Sequence, residues 1–294
     1  MTSTPTGTGI WNMGLRFGER EAAVEAAVAA EECGYTCVWL PDMGGGGLFE
    51  RLDALLGATS RITVATGILN IWMHEPARVA TEFSTLTEAY GERLLIGLGA
   101  SHAPIVDQCE AGRYRKPMAM MISFLDSLDG LSPTVPRSSR VLAALGPKML
   151  DLAGHRARGA HPYLVPVRHT AAARAALGPE AFLGPELGVV LESDPARARE
   201  TARAAMGMYF ELPNYLNNLR RHGFTDDDLA APGSDRLIDA LVAWGEEEAI
   251  AGRVAEFRAA GADHVAIQVL TGAATTEATF PIEQWRRLAP VLNN

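Results

Sequence analysis

Short, almost unbroken apolar runs recur along this chain with helical patterning between them, and that alternation limits the fold more than any single residue does. Cys37-Val38-Trp39-Leu40 is one such run, stopped by Pro41 and the Gly44-Gly45-Gly46-Gly47 stretch. A run without polar alternation suits a strand covered on both faces. The spacing predicts further strands at 9–13, 62–71, 94–99, 141–145, 159–165, 187–191 and 264–270, with Ile62, Thr63, Val64 and Ile68 supplying β-branched character to the third. Between them, 19–33 reads as a helix closed by Gly34, with Val24 and Val28 on its inward face. Residues 49–57 read as a short helical return. Pro76 opens a helix with a Val79, Phe83, Leu86, Tyr90 stripe, and 118–128 carries the next helical pattern. Residues 132–139, rich in Pro and Ser, return the chain to strand five, and Gly146-Pro147 turns into a helix reaching Gly154. Asp194 caps a helix running through Ala205, extra helices fill the region to Ala243, and 245–260 and 281–292 complete the helical set.

Eight nearly continuous strands alternating with helices imply parallel pairing, and their number favours a closed (β/α)8 TIM barrel over an open doubly wound sheet. The expectation is a single domain over 1–294, with a helical insertion between strands seven and eight. Formal charge is −9, from 35 acidic against 26 basic residues, so no electrostatic footprint for nucleic acid or an anionic membrane is present. No stretch approaches the roughly 18 apolar residues of a membrane span. The Thr-, Gly- and Pro-rich opening lacks the features of a secretory signal. Cys33, Cys37 and Cys109 form neither a disulfide framework nor a zinc spacing, which suits a reducing cytoplasm.

In such a barrel the loops that follow strands build the active site. That rule selects Trp11 and Asn12, Asp42, Asn70 and His74, Ser101 and His102, Lys148 and His161. His102 is the candidate catalytic group, because an imidazole at the mouth exchanges protons near neutral pH; a hydrogen-bonded structural histidine is the equal alternative. Gly146-Pro147-Lys148-Met149 opens a helix, whose free N–H groups and dipole favour a phosphate, with Lys148 adding charge. Trp11, Trp72 and His74 are candidate substrate-pocket residues, although aromatics at strand ends also serve packing. Gly97-x-Gly99 lacks the third glycine of a dinucleotide fingerprint.

Several stretches carry a resemblance: Val64-Ala65-Thr66-Gly67-Ile68-Leu69-Asn70-Ile71-Trp72, Gly97-Leu98-Gly99-Ala100-Ser101-His102-Ala103-Pro104, Val141-Leu142-Ala143-Ala144-Leu145-Gly146-Pro147 and Gly159-Ala160-His161-Pro162-Tyr163. Leu212-Pro213-Asn214-Tyr215-Leu216-Asn217-Asn218-Leu219 and Ala262-Asp263-His264-Val265 extend it over nearly the whole chain. Together they resemble the luciferase-like flavin and deazaflavin oxidoreductase superfamily, particularly its actinobacterial branch that uses coenzyme F420. The resemblance implies a homodimeric enzyme with a flat tricyclic ring in the barrel mouth and a phosphate-bearing tail running outward. It implies that Asp42, Asn70, Gly99 and Ser101 meet the cofactor. It also implies a non-proline cis peptide at Gly67-Ile68 backing the ring, and a tail site of Gly146, Pro147, Lys148 and Met149 facing Gly159, Ala160 and His161. A turn-capping Asp42 and an ordinary strand bulge at Gly67 remain adequate readings of the bare residues.

The implied chemistry is hydride transfer between the deazaflavin and a small organic substrate, with an FMN-dependent monooxygenase as the alternative. A metal-dependent barrel hydrolase would need His74, His102 and His161 to converge as ligands, and the paired histidines expected on strand one are absent. A non-catalytic cofactor-binding protein is the remaining reading.

Overall fold

The computed structural model of the protein describes residues 5–44, 46–108, 110–272 and 278–293; Cys109 lies outside them. Eleven strands form one parallel system: β1 (Gly7–Trp11), β2 (Cys37–Leu40), β3 (Thr63–Thr66), β4 (Leu69–Asn70), β5 (Leu94–Gly99), β6 (Arg140–Leu142), β7 (Gly159–Ala160), β8 (Phe182–Leu183), β9 (Glu186–Val190), β10 (Val242–Trp244) and β11 (His264–Val269). The ladder runs β9-β11-β1-β2-β3-β5-β6-β7-β8, with β4 also on β5 and β10 on the far edge of β9. β8 leads through Gly184 and Pro185 directly into β9, so the ladder returns on itself as a (β/α)8 barrel.

Two barrel strands are therefore broken. Pro185 has no N–H to give the ladder and divides the seventh strand into β8 and β9. The third divides at Gly67-Ile68, whose peptide bond is cis. The sequence read this run as continuous from 62 to 71. The first strand lies two residues earlier than the apolar run suggested, and the sixth is only Gly159–Ala160.

Other differences follow from packing. In the helix Arg20–Glu32 the buried face is Ala23, Ala26, Ala27 and Ala30, while Val24 and Val28 are only half-buried; small side chains permit close approach to the barrel. The helix Val167–Leu177 was not read from the sequence, and the region assigned to helices up to Ala243 ends instead in β10. Four helical segments, Gly207–Glu211, Pro213–Arg221, Asp226–Leu229 and Asp235–Leu241, precede β10 and pack in a separate apolar cluster with Phe210, Tyr215 and Leu219. No helix among the described residues is long and apolar enough to cross a membrane.

The barrel interior is unusual in its polarity. Trp11, Trp39, Leu95, Val141 and Phe182 form its apolar layer, yet the buried rings of His161 and His264 share it. Trp39 Nε1 donates to His264 Nε2 at 3.1 Å, and a Cβ on Gly9 would lie 2.7 Å from that nitrogen. Gly9 thus makes room for a histidine inside the barrel.

Candidate active site

At the carboxyl ends of the strands lies a cavity of about 300 Å³. Of the residues the sequence singled out, Trp11, Asp42, Gly67, Ile68, Ser101, His102, Gly146, Met149 and His161 line it. Asn70, Trp72, His74, Gly99, Pro147, Lys148, Gly159 and Ala160 do not. Gly97 and Gly99 serve the backbone around the cis bond: a Cβ on Gly97 would sit 2.0 Å from Thr66 O, and one on Gly99 2.5 Å from the Ile68 side chain. Trp72 is turned away, donating to Ala100 O at 2.8 Å. Gly159 faces backbone, its Cβ position lying 1.8 Å from Phe182 O.

The wall built from the ends of β2 and β4 is a closed polar network. The Asp42 side chain is 1% exposed. His74 Nε2 donates to its Oδ2 at 2.7 Å, the Gly44 amide donates to Oδ1 at 3.2 Å, and the Asn70 amide approaches Oδ2 at 3.4 Å. Arg16 lies 3.7 Å from Oδ1 and donates to the carbonyls of Gly44 and Gly46. Burial alone would push the Asp42 carboxyl up. The hydrogen bond and charge of His74, the Gly44 amide and Arg16 outweigh it and hold the carboxyl below its ordinary range. Positive φ at Gly44, Gly46 and Gly47 explains the glycine-rich loop, because this path turns carbonyls onto Arg16. Sequence reasoning missed Arg16; the glycine loop was the signal beside it.

The opposite wall is different. His161 is 1% exposed and stacks on Trp39 with ring centroids 4.0 Å apart and planes 7° from parallel. Its Nδ1 lies 2.6 Å from Gly184 O, while its Nε2 has no partner among the described residues. Burial lowers its pKa to about 4, with the Gly184 contact a smaller opposing effect, so the ring is neutral near pH 7. Beside it, Tyr163 donates to Gln268 Oε1 at 2.8 Å and reaches the Tyr209 hydroxyl at 3.1 Å. Burial pushes the Tyr163 and Tyr215 hydroxyls well up, keeping both protonated. Tyr163, Tyr209 and Tyr215 all line the cavity.

At the lip, His102 Nδ1 pairs with Asn214 Oδ1 at 3.1 Å, and burial lowers the imidazole's pKa despite that contact. The three histidines of the hydrolase reading are held in separate contacts, with Asp42, Asn214 and Gly184. Among the described residues no group of three or more His, Cys, Asp or Glu is placed to hold a metal ion.

The cavity leads to Gly146, the N-cap of the helix Pro147–Arg156. Its side chain-less position lies 3.5 Å from the Arg221 guanidinium, measured to an ideal Cβ. Lys148, two residues on, is solvent-exposed. Helix N–H groups, the dipole and two cations make this end of the cavity suited to an anion. Arg221 was not picked out from the sequence, since it comes to Gly146 only through the fold.

A family model described as luciferase-like monooxygenase matches residues 4–264. A Mycobacterium tuberculosis protein named as a coenzyme F420-dependent oxidoreductase is 26% identical over 145 residues, which is 49% of this chain and 41% of that protein. The match thus spans less than half of the curated relative. The fold is shared with an F420-dependent secondary alcohol dehydrogenase solved with an F420-acetone adduct, at TM-score 0.75 and 17% identity over 99% of this chain and 100% of that one. It is shared with the F420-dependent tetrahydromethanopterin reductase of Methanopyrus kandleri, at TM-score 0.76 and 17% identity over 98% and 100%. The FMN-bound oxygenating constituent of 3,6-diketocamphane monooxygenase from Pseudomonas putida follows the same fold, at TM-score 0.67 and 14% identity over 99% and 98%. With the family match running through almost every strand of the barrel, the chain belongs to the luciferase-like monooxygenase family.

Proposed function

We propose that the protein is an F420-dependent oxidoreductase that transfers a hydride between C5 of the deazaflavin and a small organic substrate. The observation that carries this reading is the cavity itself: a mouth of about 300 Å³, within the range of cofactor sites, bounded by the cis Gly67-Ile68 peptide and ending at a helix N-terminus. The curated relative's name and the motif resemblance support the choice of F420.

The residues present fit such a group. The buried, unpartnered Nε2 of His161 calls for a donor, and Trp11 and Ile68 offer apolar surface to a flat ring. Gly146, Met149, Arg221 and Lys148 would hold a phosphate-bearing tail. When bound, the deazaflavin supplies two-electron hydride chemistry at C5. The protein's share is positioning and water exclusion by the apolar walls. His102, neutral near pH 7, is placed at the lip to exchange a proton with the substrate through Nε2, its Nδ1 being held by Asn214.

Titration of the purified protein with F420 and, separately, with FMN, followed by fluorescence quenching, tests the reading. Saturable binding of F420 in preference to FMN is expected. Preferential FMN binding would move the chain to the oxygen-using branch of the family, and binding of neither would sink the redox reading.

A further inference from the structure

Three parts of the fold fix the His161 ring. It follows β7 directly, it stacks on Trp39 of β2, and its Nδ1 meets Gly184 O at the break between β8 and β9. Gly184 N donates to Ala160 O and Glu186 N to Pro162 O, and in that register the donor to Gly184 O would be residue 162, a proline without an N–H, so the carbonyl is free for the imidazole. A carbonyl only accepts, so Nδ1 carries the hydrogen and Nε2 presents a lone pair. Nε2 lies beside Gly67 on the cavity wall: a Cβ built on Gly67 would come within 3.1 Å of it and 2.9 Å of Trp11 Nε1. Trp11 Nε1 is engaged with Gly67 O at 2.8 Å and does not serve Nε2. A side chain at 67 would press on both ring nitrogens, and glycine spares the Nε2 lone pair that contact.

A fully buried acceptor without a donor is costly, and few persist in folded proteins without a purpose. The other polar groups of this wall, Tyr163 and Tyr209, bond to each other, and Tyr163 to Gln268. We infer that His161 Nε2 is the cofactor-reading acceptor of the cavity, taking a hydrogen bond from the imide N–H of a flavin-type ring. The inference rests on the redox-cofactor reading above, and holds for either ring because flavin and deazaflavin share that imide. It assigns His161 to the ring rather than to the wall of the tail site. Its low basicity keeps the lone pair available at neutral pH.

The experiment compares wild type with His161→Phe, which keeps a flat ring against Trp39 and removes the acceptor, and with His161→Gln, which restores an acceptor oxygen. Each is titrated with F420, with FMN and with the imide-N-methylated analogue of whichever ring wild type binds. Loss of one such hydrogen bond is expected to weaken binding about tenfold in His161→Phe, with partial recovery in His161→Gln. N-methylation should weaken binding to wild type and leave His161→Phe little changed. In parallel, nitrogen-15 NMR of histidine-labelled wild type should show the unprotonated ring nitrogen of His161 shifting upfield when the ring binds, a readout that needs no variant to fold. Equal affinity of wild type and His161→Phe, an equal methylation penalty in both, or an unmoved resonance overturns the inference while leaving the cofactor reading intact. A wild type that binds neither ring overturns both.

Discussion

The two walls of the cavity treat their polar atoms in opposite ways. On the Asp42 side a carboxylate is surrounded by His74, Arg16 and two backbone amides. On the His161 side an equally buried ring keeps one nitrogen without a partner among the described residues. The charged wall looks the more functional in sequence, yet its charge is answered from within the protein. A neutral ring with one unpartnered lone pair has more to offer a ligand than a carboxylate whose oxygens are already engaged.

The largest effect tests whether the His161 wall is rigid behind its open face. A Cβ on Gly159 would lie 1.8 Å from Phe182 O and 2.6 Å from Phe182 N, both backbone atoms. Gly159→Ala should therefore cost several kcal/mol, enough to abolish soluble folded protein, as judged by circular dichroism and gel filtration. A folded, stable Gly159→Ala protein would mean that β7 and β8 yield freely, and the fixed position of His161 would lose its basis.

Acid should break the walls in separate windows. Burial lowers the pKa of His161 and His169 to about 4 and of His264 to about 3, from an ordinary 6.5. Between these values the unfolded chain binds protons that the folded chain refuses, so stability falls as pH drops from 6.5 towards 4. Asp42 has a folded pKa below its ordinary 3.8, so its contribution is present above that value and lost only at lower pH. Glu186, raised to about 8 by burial, acts in the reverse sense: the folded state holds its proton, and stability declines as pH rises from 4.5 to 8. Chemical denaturation across pH 3.5–8 should show the acid decline beginning near 6.5, made shallower by His161→Phe. Glu186→Gln should flatten the alkaline side. A profile flat down to pH 4 would contradict the neutral, buried state of these rings.

Asp42→Ala comes next in size. Removing the anion leaves Arg16 and His74 buried without it, a loss of about 3 kcal/mol by denaturant unfolding. His161→Phe in the ligand-free protein should cost about 1 kcal/mol, because it gives up the single Nδ1 bond to Gly184 O and no bond at Nε2. Equal losses from the two substitutions would erase the contrast between the walls.

Much of this contrast was hidden from the sequence, and for particular reasons. The eight apolar runs revealed the barrel because parallel strands covered on both faces leave a local signature. The break at Gly67 was implied by the family resemblance and was invisible to the pattern, since Ile68 and Leu69 continue the apolar run past the cis bond. Pro185 marked the other break, but Phe182-Leu183 was too short to register as half of a strand. Loop position picked out Asp42 and His161 alike. It could not show that Asp42 is engaged by His74 and the Gly44 amide with Arg16 3.7 Å away, nor that Gly184 locks one nitrogen of His161 and leaves the other unpartnered. Those facts depend on which distant residues arrive at the same place, as do Tyr163 with Tyr209 and Arg221 with Gly146.

The smallest effect concerns Gly146, which belongs to neither wall. Its backbone is extended, at φ −97° and ψ 161°, so alanine fits without strain, and a Cβ would make ordinary contact with Arg221 at 3.5 Å. Stability should fall by only about 0.5 kcal/mol, the usual cost of alanine at a helix N-cap that tolerates glycine. The added methyl group stands where the cavity meets the helix N–H groups and should push a phosphate away from them. Affinity for the complete F420 should drop a few-fold, most visibly at low salt, while a tail-less ring analogue binds as before. An equal loss for both would place Gly146 against the ring itself, extending the open wall from His161 around the mouth to β6.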